Sequence, residues 1–215
     1  LAFIDDDVIV PKSYFNSLIK TITSTDCIGV SGLALNPKTT AKVINKKIFQ
    51  KFLSNLFLLT SNKEGVVLKS GVNVPVNQKH KNIVEVDWLI GCSVWNFSKI
   101  KNLRFREDFE GQSLGEDVIF SRNAKKLGKI YVDPNVILTH LESSIMRPND
   151  EQFMYMWVKN RLEIIKENQI TILDLIAFNW CNFGRFLQIV ILKKQSKIKS
   201  LRGMIRAYIE IIFKQ

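Results

Sequence analysis

Leu1-Ala2-Phe3-Ile4-Asp5-Asp6-Asp7 is the stretch on which the reading of this chain turns. An apolar run with strand character ends in three consecutive acids. Adjacent carboxylates repel one another, and a strand end gives them little relief by solvent. A cation removes the conflict. Hard divalent ions such as Mg²⁺ and Mn²⁺ take oxygen ligands, and in phosphate chemistry they bridge one or two carboxylates to the substrate. A strand that carries acids to its C-terminal edge also matches where ligands sit in open α/β sheets. The plainer alternative is an acidic turn that caps a helix starting near Pro11, and the triplet alone does not separate the two. The first residue already falls in a buried-looking strand and is not Met, so an N-terminal portion is expected to precede it.

Working outward, 215 residues with 46% hydrophobic content support one domain with a real core, residues 1–148, followed by a basic helical extension, residues 149–215. A net charge of +11 and a pI near 9.6 favour acidic partners: nucleotide phosphates, anionic lipid or nucleic acid. No helix-turn-helix, zinc-finger or RNA-binding aromatic signature is present, so nucleic acid is not expected. Cys27, Cys92 and Cys181 are odd in number, scattered and without metal-type spacing, which reads as reduced thiols in a cytosolic setting. The most apolar segment, 170–192, is interrupted by Asp174, Asn179, Asn182, Arg185 and Gln188, which argues against a membrane span.

Periodicity predicts a strand over 1–7, a helix over 11–22, a strand over 27–35 and an amphipathic helix over 43–59. Residues 65–69 and 83–97 read as extended. Gly115 is expected to open a helix that Gly128 stops. Short strands are predicted at 130–132 and 136–138, split by the turn signal Asp133-Pro134-Asn135. Three helices, at about 151–168, 171–194 and 197–214, complete the chain.

Besides the acid triplet Asp5-Asp6-Asp7, three elements carry candidate chemistry. Gly115-Glu116-Asp117 stands at a predicted helix start, where acids are favoured by the helix dipole but where a loop also aims a carboxylate as a general base. His140 ends the strand Val136-Ile137-Leu138-Thr139. A histidine there is either a satisfied polar residue or, beside carboxylates, a Mn²⁺ ligand. In Val86-Asp87-Trp88-Leu89-Ile90-Gly91-Cys92-Ser93, Trp88 suits either the core or a sugar-stacking wall, and Gly91 permits close backbone approach.

The order Phe-Ile-Asp-Asp-Asp, Val-Asp-Trp-Leu-Ile-Gly-Cys, Gly-Glu-Asp-Val-Ile-Phe-Ser-Arg, then Lys-Leu-Gly-Lys-Ile-Tyr-Val-Asp-Pro-Asn-Val and His140 resembles a family-2 glycosyltransferase. The resemblance covers about residues 1–145, and the helical tail is similar to extensions of bacterial rhamnosyltransferase-like members. It implies a GT-A fold: a Rossmann-like mixed α/β sheet flanked by helices. It implies that Asp5 and Asp7, with Asp6 between them, hold Mn²⁺ or Mg²⁺ on a nucleotide-diphosphate sugar donor, and that His140 completes the metal site. Asp117 would be the base on the acceptor hydroxyl, with Glu116 beside it orienting the acceptor. Asp87, Trp88, Gly91 and Cys92 would line the sugar and acceptor pocket. The resemblance further implies an inverting transfer to a glycan or lipid-linked acceptor in bacterial surface-polysaccharide synthesis. The family's base-binding half, which precedes its Asp-x-Asp, is not in this sequence, so weak nucleotide binding by residues 1–215 alone is expected.

The basic tail places Lys193, Lys194, Lys197, Lys199, Arg202 and Arg206 around an apolar stripe from Ile198 to Ile212. It reads either as a packed helix or as an interfacial one, peripheral at the cytoplasmic face of the plasma membrane. Two rival functions remain on the residues alone. One is a non-enzymatic basic module that binds membrane or nucleic acid. The other is an Asp-nucleophile phosphatase, which usually wants Thr where this chain has Ile9.

Overall fold

A computed structural model describes residues 1–36, 48–109, 114–141, 148–167, 169–192 and 196–213. It is mixed α/β: a five-stranded mixed sheet flanked by helices, followed by a helical unit. The strands are β1 (Val8–Ile9), β2 (Gly29–Leu35), β3 (Val84–Glu85), β4 (Ser93–Trp95) and β5 (Ile130–His140). The helices are α1 (Tyr14–Thr25), α2 (Ile48–Leu56), the short α3 (Phe97–Ile100), α4 (Glu116–Lys125), α5 (Asp150–Lys166), α6 (Ile172–Leu192) and α7 (Lys197–Phe213).

β5 organises the sheet. One edge pairs in parallel with β2; the other takes β3 at its start and β1 at its end, both antiparallel. β4 runs antiparallel on the far side of β2. The expected strand over 1–7 is shorter than predicted. Only residues 1–3 pair with β4, through the Ala2–Val94 bridge and a bond from the Phe3 amide to the Ser93 carbonyl at 2.9 Å. The acids follow in a turn, and the chain re-enters the sheet as β1. The two strands expected over 130–138 are one strand of 11 residues. Asp133-Pro134-Asn135 forms an irregularity within it, not a turn. Asp133 accepts from the Asn135 amide at 3.0 Å and from the Thr21 hydroxyl at 2.8 Å, so the insert is tied to α1.

The sheet is covered on two sides. Tyr14 and Leu18 of α1 pack on Val30, Val94, Val136 and Leu138. Phe120 and Ala124 of α4 pack on Leu33, Trp95, Ile130 and Val132. Full burial of such side chains contributes about 1.5–3 kcal/mol each. Phe3, Phe105 and Phe120 form an aromatic trio with ring centroids 5.0, 5.6 and 4.3 Å apart. This trio registers the strand that leads into Asp5 against the helix that begins at Glu116.

The helical unit opens with a capped helix start. Asn149 caps α5, accepting from the Glu151 and Gln152 amides at 3.0 and 2.9 Å, while the Gln152 side chain accepts from the Asn149 amide. Such a capping box stabilises a helix start by about 1 kcal/mol. Met154, Val158 and Leu162 of α5 meet Phe178 and Ile189 of α6 and Met204 of α7. Ile164 joins Val118 and Ile119, which fastens the unit to α4. No helix among the described residues is long and apolar enough to cross a membrane. The helix expected over 43–59 is observed as α2; residues 43–47, like Lys193 and Lys194, lie outside the described residues.

Candidate functional site

The turn after Phe3, the end of β5, the start of α4 and the start of α5 converge on one cleft of about 1120 Å³. Asp5, Asp6, Asp7, Glu116, Asp117, Asp150 and His140 all line it, with Gly91 and Cys92 among them. Residues far apart in sequence are thus brought together.

Asp7 and His140 meet because of strand pairing. Val8 is opposite His140 in the ladder, and the Leu141 amide donates to the Asp7 carbonyl at 2.9 Å. The Asp7 carboxylate then lies 3.1 Å from His140 Nε2. Asp5 is held differently. Its amide donates to Cys92 Sγ at 3.3 Å, and its carboxylate rests over Gly91, where a Cβ would sit 2.2 Å from Asp5 Oδ1. Any larger residue at position 91 therefore displaces Asp5. Burial pushes the Cys92 thiol up to about 11, so it stays protonated beneath the cleft.

Gly115 adopts φ 96°, a left-handed conformation that favours glycine, and so turns the chain into α4. The carbonyl before it, on Leu114, accepts from Asn160 of α5 at 2.9 Å. Asp117 sits in the first turn, partly exposed to the cleft but packed on its other sides. Burial pushes its carboxyl up to about 7, helped by the negative charges of Asp5 and Glu116 and opposed by the Val118 amide, which donates to it at 2.8 Å. A carboxylate poised near neutrality is suited to proton transfer.

Two expected pocket residues are elsewhere. Asp87 and Trp88 do not line the cleft. Asp87 accepts from Lys125 at 2.6 Å and from the Val67 amide at 3.0 Å. Burial raises its carboxyl, but these two donors and the charges of Lys125 and Arg122 outweigh burial and hold it below the usual range. The Trp88 indole donates to the Val74 carbonyl at 3.3 Å, and its ring packs against Val118, Ile119 and Ile164. Both residues brace the wall behind the site. Conversely, Phe105, Asp150 and Phe153 line the cleft without having been singled out by sequence. For Asp150 the available signal was its place just after the Pro148-Asn149 helix cap.

The expected metal ligands divide. Asp7 and His140 form a pair, whereas Asp5 stands on Cys92 and Gly91. Among the described residues, no three His, Cys, Asp or Glu side chains close into a metal cage. One carboxylate and one imidazole nitrogen fit a divalent ion that takes its remaining ligands from phosphate and water. Compared with known proteins, the chain matches no family model, and neither a curated sequence nor a solved structure is significantly similar to it.

Proposed function

We propose that this cleft transfers a sugar from a nucleoside-diphosphate donor to a hydroxyl of a glycan or lipid-linked acceptor, in a GT-A arrangement of the family-2 glycosyltransferase type. The observation that carries the reading is the meeting of the Asp5-Asp6-Asp7 turn and His140 with Glu116-Asp117 across one cleft. The motif order along the sequence supports it independently.

Asp7 and His140 would hold Mn²⁺ or Mg²⁺, with Asp5 and Asp6 beside them. When bound, the ion supplies positive charge that offsets the charge of the departing diphosphate. Asp117 accepts the proton of the attacking hydroxyl, and its raised pKa leaves it able to do so near neutral pH. Glu116, one residue before, orients the acceptor. The hydroxyl oxygen bonds to the anomeric carbon as the bond to the diphosphate oxygen breaks, so a single displacement inverts that centre. Phe105 and Phe153 give the cleft apolar walls for a sugar ring.

A panel of nucleotide sugars, assayed for metal-dependent release of nucleoside diphosphate with wild type and Asp7→Asn, tests the reading. Release that depends on Mn²⁺ or Mg²⁺ and disappears in Asp7→Asn is expected. Release that survives excess chelator, or is equal in both proteins, would overturn it.

A further inference from the structure

α6 and α7 lie side by side, joined beneath their outer faces by a polar ladder. Tyr208 accepts from Asn182 at 2.8 Å and donates to Asn179 at 2.9 Å. Above that ladder the outer faces are apolar. Nine large hydrophobic side chains of α6 and five of α7 are exposed, from Ile172 at 75% to Phe213 at 78%. Two hollows of about 430 and 480 Å³ on this surface share Asn179 and Phe183, so the face is continuous across both helices. Soluble surfaces scatter their apolar residues singly, and a contiguous face of this kind marks an interaction site.

The charge around the face selects the occupant. On α7 the exposed row is Ile198, Ile205, Ile209 and Ile212. Helical spacing puts Arg202 in the gap of that row, with Lys199 and Arg206 just to its side, and all three are exposed. The nearby carboxylates are turned to other uses. Glu210 accepts from Tyr155 and Lys159, and Asp174 caps the start of α6 by accepting from Thr171. A second copy of the same face would bring Arg202 no uncommitted carboxylate, because Glu210 and Asp174 are already engaged in each copy. Exposed Trp180, Phe183 and Phe186 add the aromatic character that suits a lipid–water boundary.

We infer that the joint outer face of α6 and α7 docks on an anionic lipid bilayer surface, lying in the interface without crossing it. The inference goes beyond the transfer reaction and stands apart from it, because none of these residues lines the cleft.

Co-sedimentation of the chain with phosphatidylcholine vesicles, with and without anionic phosphatidylglycerol, tests it. Binding to the anionic vesicles at low salt, fading as salt screens the charges, is expected. Lys199→Glu with Arg202→Glu, both on solvent-facing positions, should weaken partitioning by roughly tenfold or more. Ile176→Ser with Ile209→Ser should weaken it while leaving the circular-dichroism melt unchanged. Equal recovery in the supernatant with both vesicle types would overturn the proposal. So would a dimer that Phe183→Asp dissociates in a protein that ignores vesicles. Neither result bears on nucleoside-diphosphate release, so the two readings fail separately.

Discussion

Six carboxylates line the cleft, and His140 is the only basic side chain on its described walls. The helical unit does the reverse: it buries Arg161, with no carboxylate among its hydrogen-bond partners. The Arg161 guanidinium lies 3.5 Å over the Trp157 ring and donates to the Trp157 carbonyl, Cys181 and Asn182. Arg185 stands 5.4 Å from the same ring and donates to Gln188. Burial pushes both guanidinium groups below their ordinary range. A planar, delocalised cation can spread over ring faces and neutral acceptors and so be content inside a protein. A carboxylate has only acceptors to offer, and its relief is a donor, a proton or a cation. Like charge in the bundle is therefore architecture, whereas like charge in the cleft is capacity for chemistry.

The comparison is most sharply tested at Asp117. Asp117→Asn should leave donor affinity largely intact and reduce turnover by roughly 10²–10⁴, as loss of a general base does. Wild-type turnover should rise through about pH 7 as Asp117 ionises. The stability effect has the opposite sign. The folded state holds this proton more tightly than the unfolded chain, so stability falls as pH rises from the ordinary carboxyl value of 3.8 towards about 7, then levels. At most about 4 kcal/mol is involved. Asp117→Asn should flatten that slope in thermal melts, and a mutant with the wild-type slope would show that Asp117 is not the strained acid.

At the other pole, Arg161→Ala should cost about 3 kcal/mol, since it opens a cavity over Trp157 and orphans the Asn182 carbonyl. Arg161→Met, which keeps volume without charge, should cost less. If both variants melted with wild type, the arginine would not be architectural and the contrast would lose one side. Within the cleft, Asp7→Asn or His140→Ala should lower Mn²⁺ affinity by about tenfold or more, measured calorimetrically with pyrophosphate present. Unchanged affinity in both would remove the cation from the account.

The smallest effect is expected behind the cleft. Asp87→Asn should cost about 1 kcal/mol, because its partner Lys125 is a third exposed and solvent screens the pair. Its carboxyl is held low, so its contribution is present above the ordinary value of 3.8 and is lost as acid is added below it. Turnover of this variant should match wild type. A fall resembling that of Asp117→Asn would return Asp87 to the site.

The residues of the cleft were legible because each stood at a break in pattern: Asp5-Asp6-Asp7 after an apolar run, Glu116-Asp117 after a glycine, His140 at a strand end. Helix and strand ends gather at sheet edges, so such breaks tend to coincide in space. Asp87 and Trp88 misled for the same reason. Lys125, which claims Asp87, is 38 residues away and leaves no local trace. The aromatic trio that aligns Asp5 with Asp117 was equally hidden, since a phenylalanine in an apolar run does not announce its partner. Asp133-Pro134-Asn135 has turn composition, yet β2 on one side and Thr21 on the other carry the strand through it.

That insert has a consequence for how the chain tolerates length changes. Two steps along β2, from Ser31 to Leu33, correspond to five along β5, from Val132 to Ile137. The surplus is odd, and an odd surplus reverses the alternation of a strand. Ile130 and Val132 accordingly face α4, while Val136 and Leu138, at the same even spacing, face α1 with His140 in step behind them. Loss of one residue from 133–135, with the five-for-two match to β2 kept, would turn His140 to the opposite face and draw Leu141 into its place. Loss of two would restore the parity. Insertions and deletions at this point are thus filtered by whether they are even or odd, a rule that no comparison of single substitutions would reveal.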